Sequence, residues 1–219
     1  MDIYEIETKL NDPDFQHRLK AISALKDYDP GVAVTRLKSK LHDPEFLVRS
    51  FVAMGLGKQK TPESFAALME MMKFDNTPNV RAEAANSLSL FGSVAASHLV
   101  FCFHQDDHWL VRRSILAALV EMNCPYELFE VCCEGLTDED PTVQESAVDA
   151  LGSLTATTQQ MPALELLLTL VNTQSSRLRT RVAYALKQFN DPKAQEALAQ
   201  LGNDTDHQVV GATLENFLP

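Results

Sequence analysis

The sequence predicts an all-α chain, an α-solenoid of about seven two-helix repeats of 31 to 35 residues forming a single domain over 1–219. The first observation is a phrase that returns seven times. It reads NDPDFQHRLKAISAL, HDPEFLVRSFVAMGL, DNTPNVRAEAANSL, DDHWLVRRSILAAL and DEDPTVQESAVDAL, and in weaker form TQSSRLRTRVAYAL and NDTDHQVVGATLENF. Self-similarity at a fixed period is the mark of repeat architectures. The second observation is the spacing inside the phrase. Aligned on its basic position, the anchors are Arg18, Arg49, Arg81, Arg112, Gln144, Arg179 and Val210, in steps of 31, 32, 31, 32, 35 and 31 residues. Seven residues after each anchor stand Leu25, Leu56, Leu88, Leu119, Leu151, Leu186 and Phe217. Val or Leu usually precedes the anchor and a small residue usually fills the sixth place after it, which together make one apolar face at helical period.

Each unit then reads as a helix A, a turn carrying Asp and often Pro, and a helix B. The A helices are expected over 3–10, 31–41, 62–73, 93–104, 125–136, 160–172 and 192–201. Pro13, Pro44, Pro78 and Pro141 fall where a new helix starts, a place proline tolerates. Six residues before the anchors stand Asp12, Asp43, Asp75, Asp106, Asp138, Thr173 and Asp204. The repeated Asp and Arg predict a structural ladder, the turn Asp accepting from backbone N–H groups at the helix start or from the guanidinium of a neighbouring repeat. The exceptions are informative: Gln144 and Val210 replace Arg, Thr173 replaces Asp, and the one long step holds the polar run Thr155 to Gln160. A kink or loosened joint is expected there.

Composition bounds the function. At 219 residues and 45% hydrophobic content, a folded chain buries roughly 70% of the surface its unfolded form exposes, enough for a core without staples. A net charge of −11, from 30 acidic against 19 basic residues, disfavours nucleic acid, whose recognition rests on Lys and Arg. The start has no basic stretch leading into an apolar one, and no apolar run is long enough to span a bilayer. A soluble, cytoplasmic protein is expected. Cys102, Cys124, Cys132 and Cys133 lack the paired spacing of a zinc site or disulfide framework, so free thiols and no metal are expected. GxSxG, glycine-rich phosphate loops and HExxH are absent, which leaves hydrolase, kinase and zinc-protease readings without a motif.

The phrase D-x-x-P-x-V-R-x-x-A-x-x-A-L, as it stands in DNTPNVRAEAANSL and DEDPTVQESAVDAL, resembles the HEAT-like repeat of the cyanobacterial phycobilisome lyases, over the whole chain. That family comprises the E/F-type bilin lyases, which attach, detach or isomerise linear tetrapyrroles on phycobiliprotein cysteines, and the NblB-like proteins of phycobilisome breakdown. Length and compactness place the chain nearer the NblB-like branch. The resemblance implies a phycobiliprotein partner (phycocyanin or allophycocyanin subunits), phycocyanobilin as a ligand not covalently held, and assistance to phycobilisome degradation or chromophore detachment. It carries no catalytic residue across, so enzyme activity of the lyase kind stays open. The alternatives are a pure protein-interaction scaffold without a ligand, a bilin lyase subunit, and an iron–sulphur accessory protein.

In HEAT-type stacks the B helices line the concave wall, so the candidate groove residues face away from the core on helix B: Phe51, Met54, Glu83, Asn86, Arg113, Asp149, Arg181 and Tyr184, with Trp109 just ahead of the fourth B helix. Apolar walls, arginines and carboxylates suit a bilin with its propionates. They suit a protein partner equally, since Trp, Tyr and Arg dominate interface hot spots. Residues 97–109 concentrate three of the six histidines, Cys102 and the single Trp. His98 and Cys102 are one helical turn apart, so either a reactive thiol beside imidazole or a plain buried cysteine fits. Cys132 aligns with core positions and Cys133 with solvated ones, making Cys133 the second candidate reactive thiol.

Overall fold

A computed structural model describes residues 1–214, which are helical throughout, with fourteen α-helices and no strand among the described residues. The chain divides into two compact units, Met1–Met122 and the residues from Asn123 onward. The first holds α1(Ile3–Leu10), α2(Phe15–Ala24), α3(Pro30–Lys38), α4(Phe46–Gln59), α5(Pro62–Phe74), α6(Pro78–Ser89), α7(Ala96–Gln105) and α8(Trp109–Met122). The second holds α9(Pro125–Gly135), α10(Pro141–Gly152), α11(Gln160–Thr169), α12(Ser176–Leu186), α13(Pro192–Leu201) and α14(His207–Leu214). Odd-numbered helices are the expected A helices and even-numbered ones the B helices. Phe217, expected in the seventh Leu place, lies outside the described residues.

Local chemistry sets the helix starts. Pro30, Pro62, Pro78, Pro125, Pro141 and Pro192 each open a helix, where a missing N–H costs nothing. Asp2, Asp14, Asp29, Asp140 and Asp191 cap theirs by accepting a backbone N–H, while Thr61 and Ser64 form a reciprocal capping box on α5. Pro13 and Pro44 do not open helices as the sequence suggested. They stand two residues before α2 and α4 begin, because Asp14 and Glu45 occupy the N-cap place between. The A helix expected from residue 93 begins at Ala96, after a 3₁₀ turn over Gly92–Ala95 whose entry uses the left-handed φ of 73° at Gly92.

The repeated Leu places form the core: Leu25, Leu56, Leu88, Leu119, Leu151 and Leu186 are all fully buried, as are Val48, Val80, Val111, Val143 and Val209 before the anchors. Within each unit successive B helices pack on one another, α2 on α4, α4 on α6 and α6 on α8 in the first, α10 on α12 and α12 on α14 in the second. Eight residues past the anchor, Gly57 and Gly152 allow the close approach. A Cβ on Gly57 would lie 2.8 Å from the Cβ of Ser87, and one on Gly152 would lie 3.1 Å from the Cα of Ala185. Overpacking of that kind costs about 1–3 kcal/mol, against a helix-propensity gain of about 1 kcal/mol for alanine. Gly57→Ala is therefore expected to lose up to about 2 kcal/mol in urea unfolding; a more stable variant would disprove the close-packing role.

The Asp–Arg ladder joins one repeat to the next. Arg49 donates from Nε and Nη2 to the carboxylate of Asp75 at 2.7 and 3.0 Å, and from Nη1 to the carbonyl of Asp43 in its own repeat at 2.8 Å. Arg18 meets Asp43 at 2.9 Å, Arg81 meets Asp106 at 2.6 and 3.1 Å, and Arg179 meets Asp204 at 2.7 and 2.9 Å. The same carboxylates also accept a backbone N–H two residues on, as Asp43 does from Glu45 and Asp75 from Thr77. Both expected roles of the turn Asp thus operate together. At Gln144 only the internal half survives, its amide donating to the carbonyl of Asp138 at 2.6 Å.

The polar run after α10 is tied down by side chains. Ala156 takes a left-handed φ of 59°, its N–H donates to Gln160 Oε1 at 2.8 Å, and Thr155 Oγ1 donates to the carbonyl of Gln188 at 3.1 Å. The extra residues of the long step are absorbed in this turn, so the joint differs by its missing rung.

One rung gives a pH prediction. Hydrogen bonds from Arg179, helped by the N–H of Asp206, hold the Asp204 carboxyl at about 2, below the unfolded value near 3.9. Its stabilisation is then fully present above the unfolded value and is lost as pH falls through about 2. Melting temperature is expected to drop between pH 4 and 2, and the drop to be smaller in Asp204→Asn; identical acid profiles for the two proteins would refute it.

Candidate functional site

Six of the nine expected groove residues belong to the first unit, on B helices packed side by side. Phe51 and Met54 lie on α4, Glu83 and Asn86 on α6, and Trp109 and Arg113 on α8. Phe51 and Glu83 hold the same place, two residues past their anchors, and Met54 and Asn86 the same place five past. Phe51 is half-buried, whereas Met54 and Trp109 expose 39% and 40% of their surface. Phe46 and Leu47 at the start of α4 add two further exposed apolar side chains. Trp109 is held by its neighbour: His108 stacks on it at 5.9 Å between ring centroids, and His108 Nδ1 accepts the N–H of Leu110 at 3.2 Å. Glu83 is half-buried with no hydrogen-bond or ion-pair partner among the described residues. Burial pushes its carboxyl above the ordinary carboxylate range, so a cation brought to it recovers the lost solvation.

The remaining three, Asp149, Arg181 and Tyr184, belong to the second unit, on α10 and α12. Asp149 and Arg181 pair with each other at 3.2 Å. Arg177 joins them by meeting Glu145, itself only 7% exposed, at 2.9 Å. Burial raises the Asp149 carboxyl while Arg181 pulls it back. This ion cluster bridges α10 and α12 across the joint that lacks a ladder rung. Asp149 and Tyr184 also border a shallow cleft of about 340 Å³ with Gly152, Thr155 and Gln188, and the ammonium of Lys187 sits 4.8 Å from the Tyr184 ring centre.

A larger cleft, about 470 Å³, opens in the first unit between two A helices, with Met69, Met72, Lys73 and Phe74 from α5 and His98, Phe101, Cys102 and Gln105 from α7. His98 and Cys102 do border one space, as their spacing suggested. Burial pushes the Cys102 thiol up to about 11, leaving it protonated at neutral pH and a poor nucleophile. Cys133 is exposed as expected, yet partial burial and Glu130 raise its thiol too. Neither candidate thiol carries the lowered pKa of a reactive cysteine. Cys132 is fully buried, and among the described residues no group of three or more His, Cys, Asp or Glu side chains converges to hold a metal.

The family model for HEAT repeats matches residues 5–89, 34–120 and 129–217. The chain belongs to the HEAT-repeat family. No curated protein matches its sequence. Among solved structures, this HEAT-repeat chain is similar to YibA of E. coli, with a TM-score of 0.67 and 17% identity over 97% of this chain and 80% of that one. It is also similar to the complex of CpcE and CpcF of phycocyanin lyase from Nostoc sp. PCC7120, with a TM-score of 0.54 and 22% identity over 98% of this chain and 87% of that one. At such identities the likeness is one of fold. No helix of this HEAT-repeat protein among the described residues is long and apolar enough to cross a membrane.

The A-helix cleft lies off the B-helix face that the repeat pattern highlights. Its signal was present in the sequence as Lys73 and Phe74 closing one A helix, and as Phe101, one place past the core position Val100, on the next.

Proposed function

We propose that this HEAT-repeat chain is a docking scaffold for a phycobiliprotein and that it assists chromophore detachment or phycobilisome degradation. The observation that carries the docking is the B-helix face of the first unit, where exposed Phe46, Leu47, Met54 and Trp109 accompany the carboxylate of Glu83, unpaired among the described residues. Large apolar anchors beside one desolvated charge are the ingredients of an interface hot spot. The net charge of −11 favours a partner presenting a basic patch. The phycobiliprotein identity is supported by the repeat phrase and its resemblance to the phycobilisome lyase family. A fold shared with CpcE and CpcF accords with it.

A second reading, a scaffold that handles no pigment, draws support from Asp149 and Arg181, which neutralise each other instead of waiting for a propionate. One titration separates the two. Purified chain is mixed with phycocyanin, allophycocyanin and free phycocyanobilin while the visible spectrum and the sizing-column profile are recorded. The expected result is co-elution with a phycobiliprotein and a shifted or depleted pigment band. Replacing Trp109 by alanine is expected to weaken the complex about 30-fold, the size of a hot-spot loss. Co-elution with an unchanged spectrum supports the pigment-free scaffold, and no complex with any of the three overturns the phycobiliprotein assignment.

A further inference from the structure

We propose that the cleft between α5 and α7 is a binding site for a small flat carboxylate, an aromatic or conjugated acid whose body lies against Phe74 and Phe101 and whose charge meets Lys73. The site shares no residue with the B-helix face, so it stands independently of the docking reading. Its volume of about 470 Å³ falls in the range of small-molecule pockets.

The polar lining selects the sign of the ligand. The Lys73 ammonium has no carboxylate partner among the described residues and rests instead 5.2 Å from the ring centre of Phe74 and 5.7 Å from that of Phe101. His98 and Gln105 border the same space without a side-chain hydrogen bond among the described residues. All three can donate. The one carboxylate in the lining, Asp106, already accepts from Arg81 Nε at 2.6 Å, from Arg81 Nη2 at 3.1 Å and from the N–H of His108 at 3.0 Å. In a chain with 30 acidic and 19 basic residues, a cleft whose exposed donors have no protein partner among the described residues, beside a fully engaged carboxylate, is a local reversal of charge that favours an anion.

The walls select the body. Phe74 and Phe101 expose 71% and 55% of their surface, two phenyl rings left against water at the mouth, with Met69 and Met72 behind them. Thioethers and aromatic edges are favourable neighbours for a π-system, and a flat ligand lying against the rings brings its carboxylate to the ammonium beside them. The Cys102 thiol, protonated and buried, adds apolar surface and no covalent step.

The test uses three fluorescent probes with one aromatic body: pyrenebutyrate, pyrenebutanol and pyrenebutyltrimethylammonium, titrated into the full chain by anisotropy. The acid is expected to bind saturably and about tenfold or more tighter than the alcohol, the effect of one charge-assisted contact, with the ammonium weakest. Lys73→Met should remove the acid's advantage and leave the alcohol unchanged, while Phe101→Ala should weaken both. Both side chains are exposed, so the fold tolerates these changes. Equal affinity for acid and alcohol, unsaturable binding of all three, or an undiminished acid affinity in Lys73→Met would each overturn the site.

Discussion

Arg49→Ala is expected to lose about 3–5 kcal/mol of stability, the cost of removing one partner from a buried, hydrogen-bonded charge pair. Arg49 is 9% exposed and its Nη2 alone reaches Asp75, Asn76 Oδ1 at 3.1 Å and Thr77 Oγ1 at 3.0 Å. Truncation strands the Asp75 carboxylate, itself shielded by the joint, and the carbonyl of Asp43. Arg49→Lys should recover only a minor part, because an ammonium cannot present two parallel donors to a carboxylate and a third to a carbonyl. Urea denaturation followed by circular dichroism measures the loss. Hydrogen exchange should place it at the α4–α6 joint, since repeat stacks are stabilised neighbour by neighbour. A loss under about 1 kcal/mol, the level of an exposed pair, would sink the ladder as the principal inter-repeat tie.

The architecture was legible because a repeat announces itself seven times. Places such as Leu56 and Leu151 are set by period, and the turn Asp and following Arg can be paired by eye once the phrases are aligned. Helix A bounds came within a few residues, with differences where backbone geometry intervened: the 3₁₀ turn at Gly92 delays α7, and the extended N-cap residues Asp14 and Glu45 hold Pro13 and Pro44 outside their helices. The site was less legible, because register says which face a side chain takes and not what it meets there. The face that Asp149 and Arg181 share suggests ligand groups, yet the two, 32 residues apart in the chain, close on one another. Glu83 has the same kind of position without a mate among the described residues. The A-helix cleft depends on Phe74 and Phe101 being left uncovered, a property of two helices together that neither helix's own pattern reveals.

The joint between α10 and α12 offers the second large effect, as a coupling. Two departures from the repeat meet there: Gln144 stands where an Arg would reach forward, and Thr173 stands where an Asp would receive it. Thr173 nevertheless keeps the backbone role of its place, its carbonyl accepting from Arg179 Nη1 at 2.8 Å as that of Asp43 accepts from Arg49. The turn at Thr173 thus keeps the backbone half of the motif, while the side-chain pair that would cross from α10 is missing from the sequence. Gln144→Arg alone places a half-buried guanidinium without a carboxylate, and Thr173→Asp alone places a carboxylate without a guanidinium. Each single change is expected to be neutral or to cost about 1–2 kcal/mol. Together they should rebuild the bidentate pair seen at Arg81 and Asp106, so the double variant should exceed the sum of the singles by about 2–3 kcal/mol in a mutant cycle. Additive singles would mean that the Glu145, Arg177 and Arg181 cluster has taken over the joint and set a spacing that a rung cannot span. A positive coupling would mean that a rung and the cluster can share the joint, and that Gln144 and Thr173 stand as an energetically coupled pair in place of an Arg and an Asp.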